Sequence, residues 1–178
     1  MDLRRQRINN EWVILGQMAE TNPDCLDIKE RHPDEFLLVL KQSSTPIFNA
    51  GKIELVREHE LRFVFARFFP AVPIEAYLTR SAFHPNVHPT TGFVCLWNRF
   101  SKADTVVEAL CQLQRILTYS LFSHSPDDVM QPEALSWALD ANRGTEIPLP
   151  CTSLVKPSGW PEERDFRNRP VRRRLSQE

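Results

Sequence analysis

Apolar residues recur at helical spacing near the amino terminus. Leu3, Ile8, Trp12, Leu15 and Met18 fall close to one stripe and predict an amphipathic helix over 3–20. Asn22-Pro23-Asp24 ends it, since proline cannot continue the hydrogen-bond ladder. The period then drops to two. Phe36 to Leu40 is an apolar run of strand length, Ser43-Ser44-Thr45-Pro46 reads as a loop, and Ile53 to Val56 reads as a second strand. Arg57-Glu58-His59-Glu60 reads as a polar turn, after which Leu61, Phe63 and Phe65 alternate with Arg62, Val64 and Ala66 in a third strand reaching Phe68. Pro70 and Pro73 interrupt the ladder, and Ile74, Ala76 and Leu78 alternate in a fourth strand. Short connections make these a four-stranded antiparallel meander. From Asp104, a suitable N-cap, Val106, Leu110, Leu113 and Leu117 restore the helical period over about fifteen residues. Pro132 opens another helix and Gly144 stops it. The fold class is α+β: an N-terminal helix, a meander, a turn-rich loop, a long central helix and a C-terminal helix.

Composition refines this picture. With 178 residues and 42% apolar content the chain builds a proper core, so one domain is expected over 1–145. Prolines at 148, 150, 157, 161 and 170 mark 146–178 as a proline-rich extension with a basic tail. A net charge of -1 argues against a general nucleic-acid binder. The tail's arginines at 164, 167, 169, 172, 173 and 174 read as a solubilising or protein-docking segment. The helical arginines Arg4, Arg5 and Arg7 read either as a solvated face or as a docking surface for an acidic partner. No apolar run reaches the roughly eighteen residues of a membrane span. The amino terminus lacks the apolar stretch of a signal peptide, so a cytoplasmic protein without membrane or nucleic-acid partners is expected. The four cysteines, at 25, 95, 111 and 151, form no C-x-x-C pair and no zinc-finger spacing. A disulfide framework is not expected, and Cys25, Cys111 and Cys151 read as small buried hydrophobes.

Cys95 is different. It lies in the apolar run Gly92-Phe93-Val94-Cys95-Leu96, shortly after the rigid tripeptide His84-Pro85-Asn86. A thiol and a side-chain amide brought to one place suit acyl chemistry, the sulfur as nucleophile and the amide as a donor to developing negative charge. Zinc binding by His84, His88 and Cys95 is disfavoured because Pro85 and Pro89 prevent the helix that would align both histidines, and no metal is expected.

The order Phe69-Pro70-x-x-Pro73, Thr79-Arg80-x-x-Phe83, His84-Pro85-Asn86-Val87 and Gly92-Phe93-Val94-Cys95-Leu96 resembles the core of a ubiquitin-conjugating enzyme. Ser125-Pro126-Asp127-Asp128-Val129-Met130 before Pro132-Glu133 extends the resemblance, which covers 3–140. It implies that Cys95 accepts a ubiquitin-like protein from an activating enzyme as a thioester and passes it to a lysine of an acceptor protein, with no cofactor. Asn86 would stabilise the oxyanion or brace the loop; losing such a donor elsewhere costs about 3–4 kcal/mol of barrier. Asp128 would orient the amine or favour its deprotonated form, with Asp127 as the register-shifted alternative. The resemblance makes His84 a structural residue. It places Ala71 and Val72 in a contact loop matched in position only, and leaves both readings of Arg4, Arg5 and Arg7 open.

Two departures stand out. His84 and Cys95 are eleven positions apart, one more than the family's usual spacing, so the His88-Pro89-Thr90-Thr91 loop must bulge. The Trp-Ser-Pro signature expected between Cys95 and the long helix is absent from Leu96–Ala103. Both departures resemble bacterial conjugating enzymes that accompany ubiquitin-like modifiers in antiphage defence. The rival readings are an inactive binding module of the same fold, which the presence of Cys95 disfavours, and a cysteine hydrolase using Cys95 with His84, His88 or Asp128.

Overall fold

The computed structural model describes residues 2–140 and 144–160. Helix α1, Leu3–Thr21, is capped by the Asp2 carboxylate, which accepts from the Arg4 N–H at 3.0 Å. It ends where expected, with the Asn22 N–H on the Met18 and Ala19 carbonyls. Its buried side comprises Ile8, Glu11, Leu15 and Met18, with Trp12 half-buried. Leu3, expected on the stripe, is 79% exposed. Glu11 is the unexpected member. Its carboxylate takes Arg7 Nε at 2.7 Å and the Val106 N–H at 2.8 Å, joining α1 to the positive end of the central helix. Burial pushes the Glu11 carboxyl up, and the bonds to Val106 and Arg7 oppose that shift.

Five strands follow in spatial order β1 to β5, all antiparallel: β1 Leu26–His32, β2 Glu35–Asn49, β3 Lys52–Val64, β4 Glu75–Leu78 and β5 Phe93–Val94. The meander is therefore longer than the expected four strands. Strand β1, LDIKERH, lacks an apolar alternation and is an edge strand covered on one side. The expected loop at 43–46 lies inside β2, and the expected turn at 57–60 lies inside β3. The true reversal is at Ala50-Gly51, both at positive φ (46° and 81°), as a tight two-residue hairpin requires. The 43–46 segment escapes its loop propensity because distant groups satisfy it. The ladder breaks between Lys41 and Thr45, with Gln42 at φ 57°. There Ser44 N–H reaches the Pro150 carbonyl and Gln114 Nε2 reaches Ser43 Oγ, both at 2.9 Å. From the supposed turn, His59 is buried and its Nε2 lies 2.7 Å from the Ser43 carbonyl.

One face of the sheet carries Phe36, Leu38, Leu40, Leu61 and Phe63 into the core, and Phe65, just past β3, joins them. Helix α2, Val106–Leu117, lays Val106, Leu110, Leu113 and Leu117 on it. Each fully buried side chain of this size contributes roughly 1.5–3 kcal/mol. Thr105, one residue beyond the expected Asp104, is the N-cap, and with Glu108 it completes a capping box. Asp104 instead accepts from the Ser101 N–H. After a short 3-10 turn, Pro126–Asp128, helix α3 spans Pro132–Leu139.

The chain from 144 to 160, which opens the proline-rich extension, runs along α2 from its carboxyl to its amino end. Leu149 N–H binds the Thr118 carbonyl at 2.7 Å, Leu154 N–H binds Gln114 Oε1 at 3.0 Å, and Trp160 Nε1 binds Glu108 Oε1 at 2.8 Å. Asn22 holds both backbone groups of Val155. The basic tail at 161–178 lies outside the described residues.

Candidate active site

Strand β4 sets the base of the site. The chain leaves it at Leu78, passes through 81–91 and returns as β5, pairing Ala76 with Val94 and Tyr77 with Phe93. Gly92 makes the return possible. Its φ is +69°, and a Cβ there would lie 2.0 Å from the Leu78 carbonyl oxygen. Leu78 N–H donates to the Gly92 carbonyl at 2.9 Å, so the two backbones touch. The longer 88–91 segment closes into a turn around its own histidine: His88 Nδ1 accepts from the N–H groups of Thr90 and Thr91, at 3.3 and 3.2 Å. The His88 carbonyl takes Ser81 Oγ and the Gly92 N–H, both at 3.0 Å.

Within the His-Pro-Asn tripeptide, His84 is fully buried, with its ring centroid 4.3 Å from that of Tyr119. Its Nδ1 accepts from the Asn86 N–H at 3.0 Å, so the ring proton is on Nε2, which has no hydrogen-bond partner among the described residues. Burial lowers the imidazole to a pKa of about 3. His84 is thus a neutral brace and cannot act as a base near neutral pH. A sign follows for stability. The unfolded chain takes up a proton near pH 6.5 that the folded chain refuses until about 3, so this stability is present above 6.5 and is lost as pH falls towards 3. Denaturant unfolding at several pH values should show wild type losing about 1.4 kcal/mol more per pH unit than His84→Gln within that window. Parallel pH profiles would contradict the burial account.

Asn86 joins the tripeptide to the thiol. Its carbonyl accepts the Cys95 N–H at 2.8 Å. The residue is 5% exposed, and its side chain binds Ser123: Nδ2 donates to Ser123 Oγ at 3.1 Å and Oδ1 accepts the Ser123 N–H at 2.9 Å. Cys95 is half-exposed just past β5, in the wall of a groove of about 200 Å³ bordered by Pro73, Glu75, Phe93 and Trp97. Trp97 Nε1 donates to the Ile74 carbonyl at 2.8 Å, joining two segments that line the groove.

The Pro-Asp-Asp turn is tied to this loop at both ends. Ser123 precedes it, and beyond it the Met130 N–H reaches the Pro85 carbonyl at 2.8 Å. Gln131 Nε2 adds bonds to the carbonyls of Ala82 and Val87, at 2.8 and 2.7 Å. Asp127 and Asp128 are exposed between these anchors. Cys95, Asn86 and the aspartate turn therefore share one hydrogen-bonded assembly.

The helical arginines do not act alike. Arg4 is bound to Asp34 and to the Phe65 and Ala66 carbonyls, and Arg7 to Glu11 and the Asp104 carbonyl. Arg5 is exposed. Ala71 is exposed and Val72 half-exposed in a turn built on the Phe68 carbonyl, and Phe68 itself is 66% exposed. The third strand, expected to reach Phe68, ends at Val64, which leaves Phe68 outside the sheet. Among the described residues no group of His, Cys, Asp and Glu is placed to hold a metal ion. No described helix is long and apolar enough to cross a membrane.

No protein-family model and no curated protein matches the sequence. Solved structures do match. One, named as a candidate ubiquitin-conjugating enzyme from Plasmodium yoelii, shares 19% identity over 76% of this chain and 84% of its own, with a TM-score of 0.53. Another, named likewise from Trypanosoma cruzi, shares 16% identity over 74% of this chain and 87% of its own, with a TM-score of 0.55. At these identities the likeness is one of architecture. This chain has the fold of the ubiquitin-conjugating enzymes.

Proposed function

We propose that the chain is a conjugating enzyme for a ubiquitin-like protein, carrying it as a thioester on Cys95. The observation that supports this most is the Asn86–Cys95 backbone pair beside the Pro-Asp-Asp turn, on this fold. In the first step the Cys95 thiolate attacks the activating enzyme's thioester carbonyl. A new carbon–sulfur bond forms, the old one breaks, and the activating enzyme's cysteine leaves as thiolate. In the second step a lysine amine attacks, the carbonyl oxygen becomes an oxyanion, and its collapse expels Cys95 thiolate as the amide forms. One Nδ2 hydrogen of Asn86 goes to Ser123, which leaves the other for the oxyanion. Asp128 orients the amine and takes up its proton. Arg5 and the Ala71–Val72 turn with Phe68 form the docking face for the activating enzyme. The groove by Cys95 receives the modifier's extended tail.

A hydrolase would need a base beside Cys95. His84 is sealed and neutral, and His88 Nδ1 is occupied by two backbone amides. Asp128, the third candidate, is exposed on its turn and serves the attacking amine; transfer of an already activated acyl group needs no base to activate Cys95.

The bacterial antiphage setting rests on the 88–91 turn and the missing Trp-Ser-Pro loop. A neighbouring gene for an adenylating enzyme would support it, and a genome without any such gene would remove it. The reaction is tested by incubating the chain with an activating enzyme, its modifier and ATP. A reductant-sensitive adduct is expected for wild type, and a reductant-resistant ester for Cys95→Ser. Arg5→Glu should need more activating enzyme for the same charging rate; an unchanged requirement would remove Arg5 from the docking face.

A further inference from the structure

We propose that Ser123 is a positioning residue for acyl transfer from Cys95, acting through the side-chain amide of Asn86. This rests on the transfer reaction above. A primary amide can be seated in two orientations related by a half-turn, and only one is productive if Nδ2 must face the oxyanion. Ser123 removes the choice. A backbone N–H can only donate, so the Ser123 N–H at 2.9 Å fixes Oδ1 on its side. The hydroxyl, 3.1 Å from Nδ2, accepts one of its two hydrogens and leaves the second uncommitted by this pair. One residue thus holds both ends of the amide.

The rest of Asn86 is held through its backbone, by His84 Nδ1 on its N–H and by the Cys95 N–H on its carbonyl. Those bonds place the Cα and leave the side chain's rotation open. At 5% exposure the amide has little access to water that could replace Ser123. The serine also begins the segment whose far end is tied to Pro85 by Met130, with the Asp128 N–H on the Ser125 carbonyl between them. The same two bonds therefore set the amide and register the aspartate turn against it. Nothing in the His-Pro-Asn motif specifies this residue, which lies 37 positions further along the chain.

The test is single-turnover discharge of the pre-charged full chain to free lysine, with ATP removed. Ser123→Ala should charge on Cys95 as wild type does and then discharge about tenfold more slowly, less than loss of the whole donor because the backbone N–H remains. The fall should appear in the maximal rate and not in the lysine concentration giving half of it. Ser123→Thr, which keeps the hydroxyl, should restore the rate. In an Asn86→Ala background Ser123→Ala should add less than twofold, as expected when one residue acts through the other. Wild-type discharge by Ser123→Ala, its full factor persisting without Asn86, or a threonine variant as slow as alanine would each overturn the proposal. Failure of the wild-type chain to charge at all would instead overturn the reading of Cys95.

Discussion

Gly92→Ala is expected to destabilise the fold by about 3 kcal/mol or more, since overpacking and a left-handed backbone strained by a Cβ each cost roughly 1–3 kcal/mol. The obstacle is a backbone atom. The new Cβ would lie 2.0 Å from the oxygen of Leu78, the last residue of β4 and paired with Leu61 of β3, so the oxygen cannot step aside as a side chain would. Relief requires moving β5 off β4, which breaks the 2.9 Å bond from the Leu78 N–H to the Gly92 carbonyl and shifts Cys95 three residues on. For a chain of this size the melting temperature should fall by about 6–12 °C. Gly51→Ala is the control. Gly51 also has positive φ, +81°, but nothing lies within 4 Å of its added Cβ. Only the conformational cost of roughly 1–2 kcal/mol applies there. Equal melting temperatures for the two variants would contradict the close approach at Leu78.

Asn86→Ala is expected to leave charging of Cys95 intact and to slow discharge to lysine about 10²- to 10³-fold, the range for loss of an oxyanion donor. Two effects converge. The donor itself is removed, and the Ser123 N–H loses its acceptor, which loosens the aspartate turn. The unpaired N–H should also cost about 1–3 kcal/mol of stability. Rapid-quench discharge measures the first effect and denaturant unfolding the second. Asp128→Ala should slow lysine but spare hydroxylamine, a less basic amine that needs no deprotonation at neutral pH; equal slowing of both would remove the carboxylate's role. Discharge at the parental rate by Asn86→Ala would reduce this residue to a loop brace.

The sequence made the local parts of this site legible and hid the long-range ones. Cys95 and Asn86 sit nine positions apart around a turn, so their types and spacing report their neighbourhood directly. The α2 face was legible because Val106, Leu110, Leu113 and Leu117 all meet the same sheet. The strands were harder. Edge strand β1 carries Asp27, Lys29, Glu30 and Arg31, which hide its extended conformation. Ser43 to Pro46 has the composition of a loop, yet Gln114 and Pro150 complete its hydrogen bonding from more than 70 residues away. Glu11 showed no sign of burial, because the Val106 N–H that draws it in lies on another helix. Arg4 and Arg7 looked alike with Arg5 along the helix, and only the fold separates the two that bind their own chain from the one left exposed. Ser123 is the same kind of omission, a serine in a polar loop until the fold sets it on Asn86.

The central claim is that Cys95 carries the acyl group. Intact-protein mass spectrometry of the chain after brief charging, followed by peptide mapping without reductant, measures it most directly. The expected product is one adduct with the mass of the modifier less one water, located on Cys95, released by thiol and absent from Cys95→Ala. An adduct that maps to Cys25, Cys111, Cys151 or a lysine, or that survives in Cys95→Ala, would contradict the account.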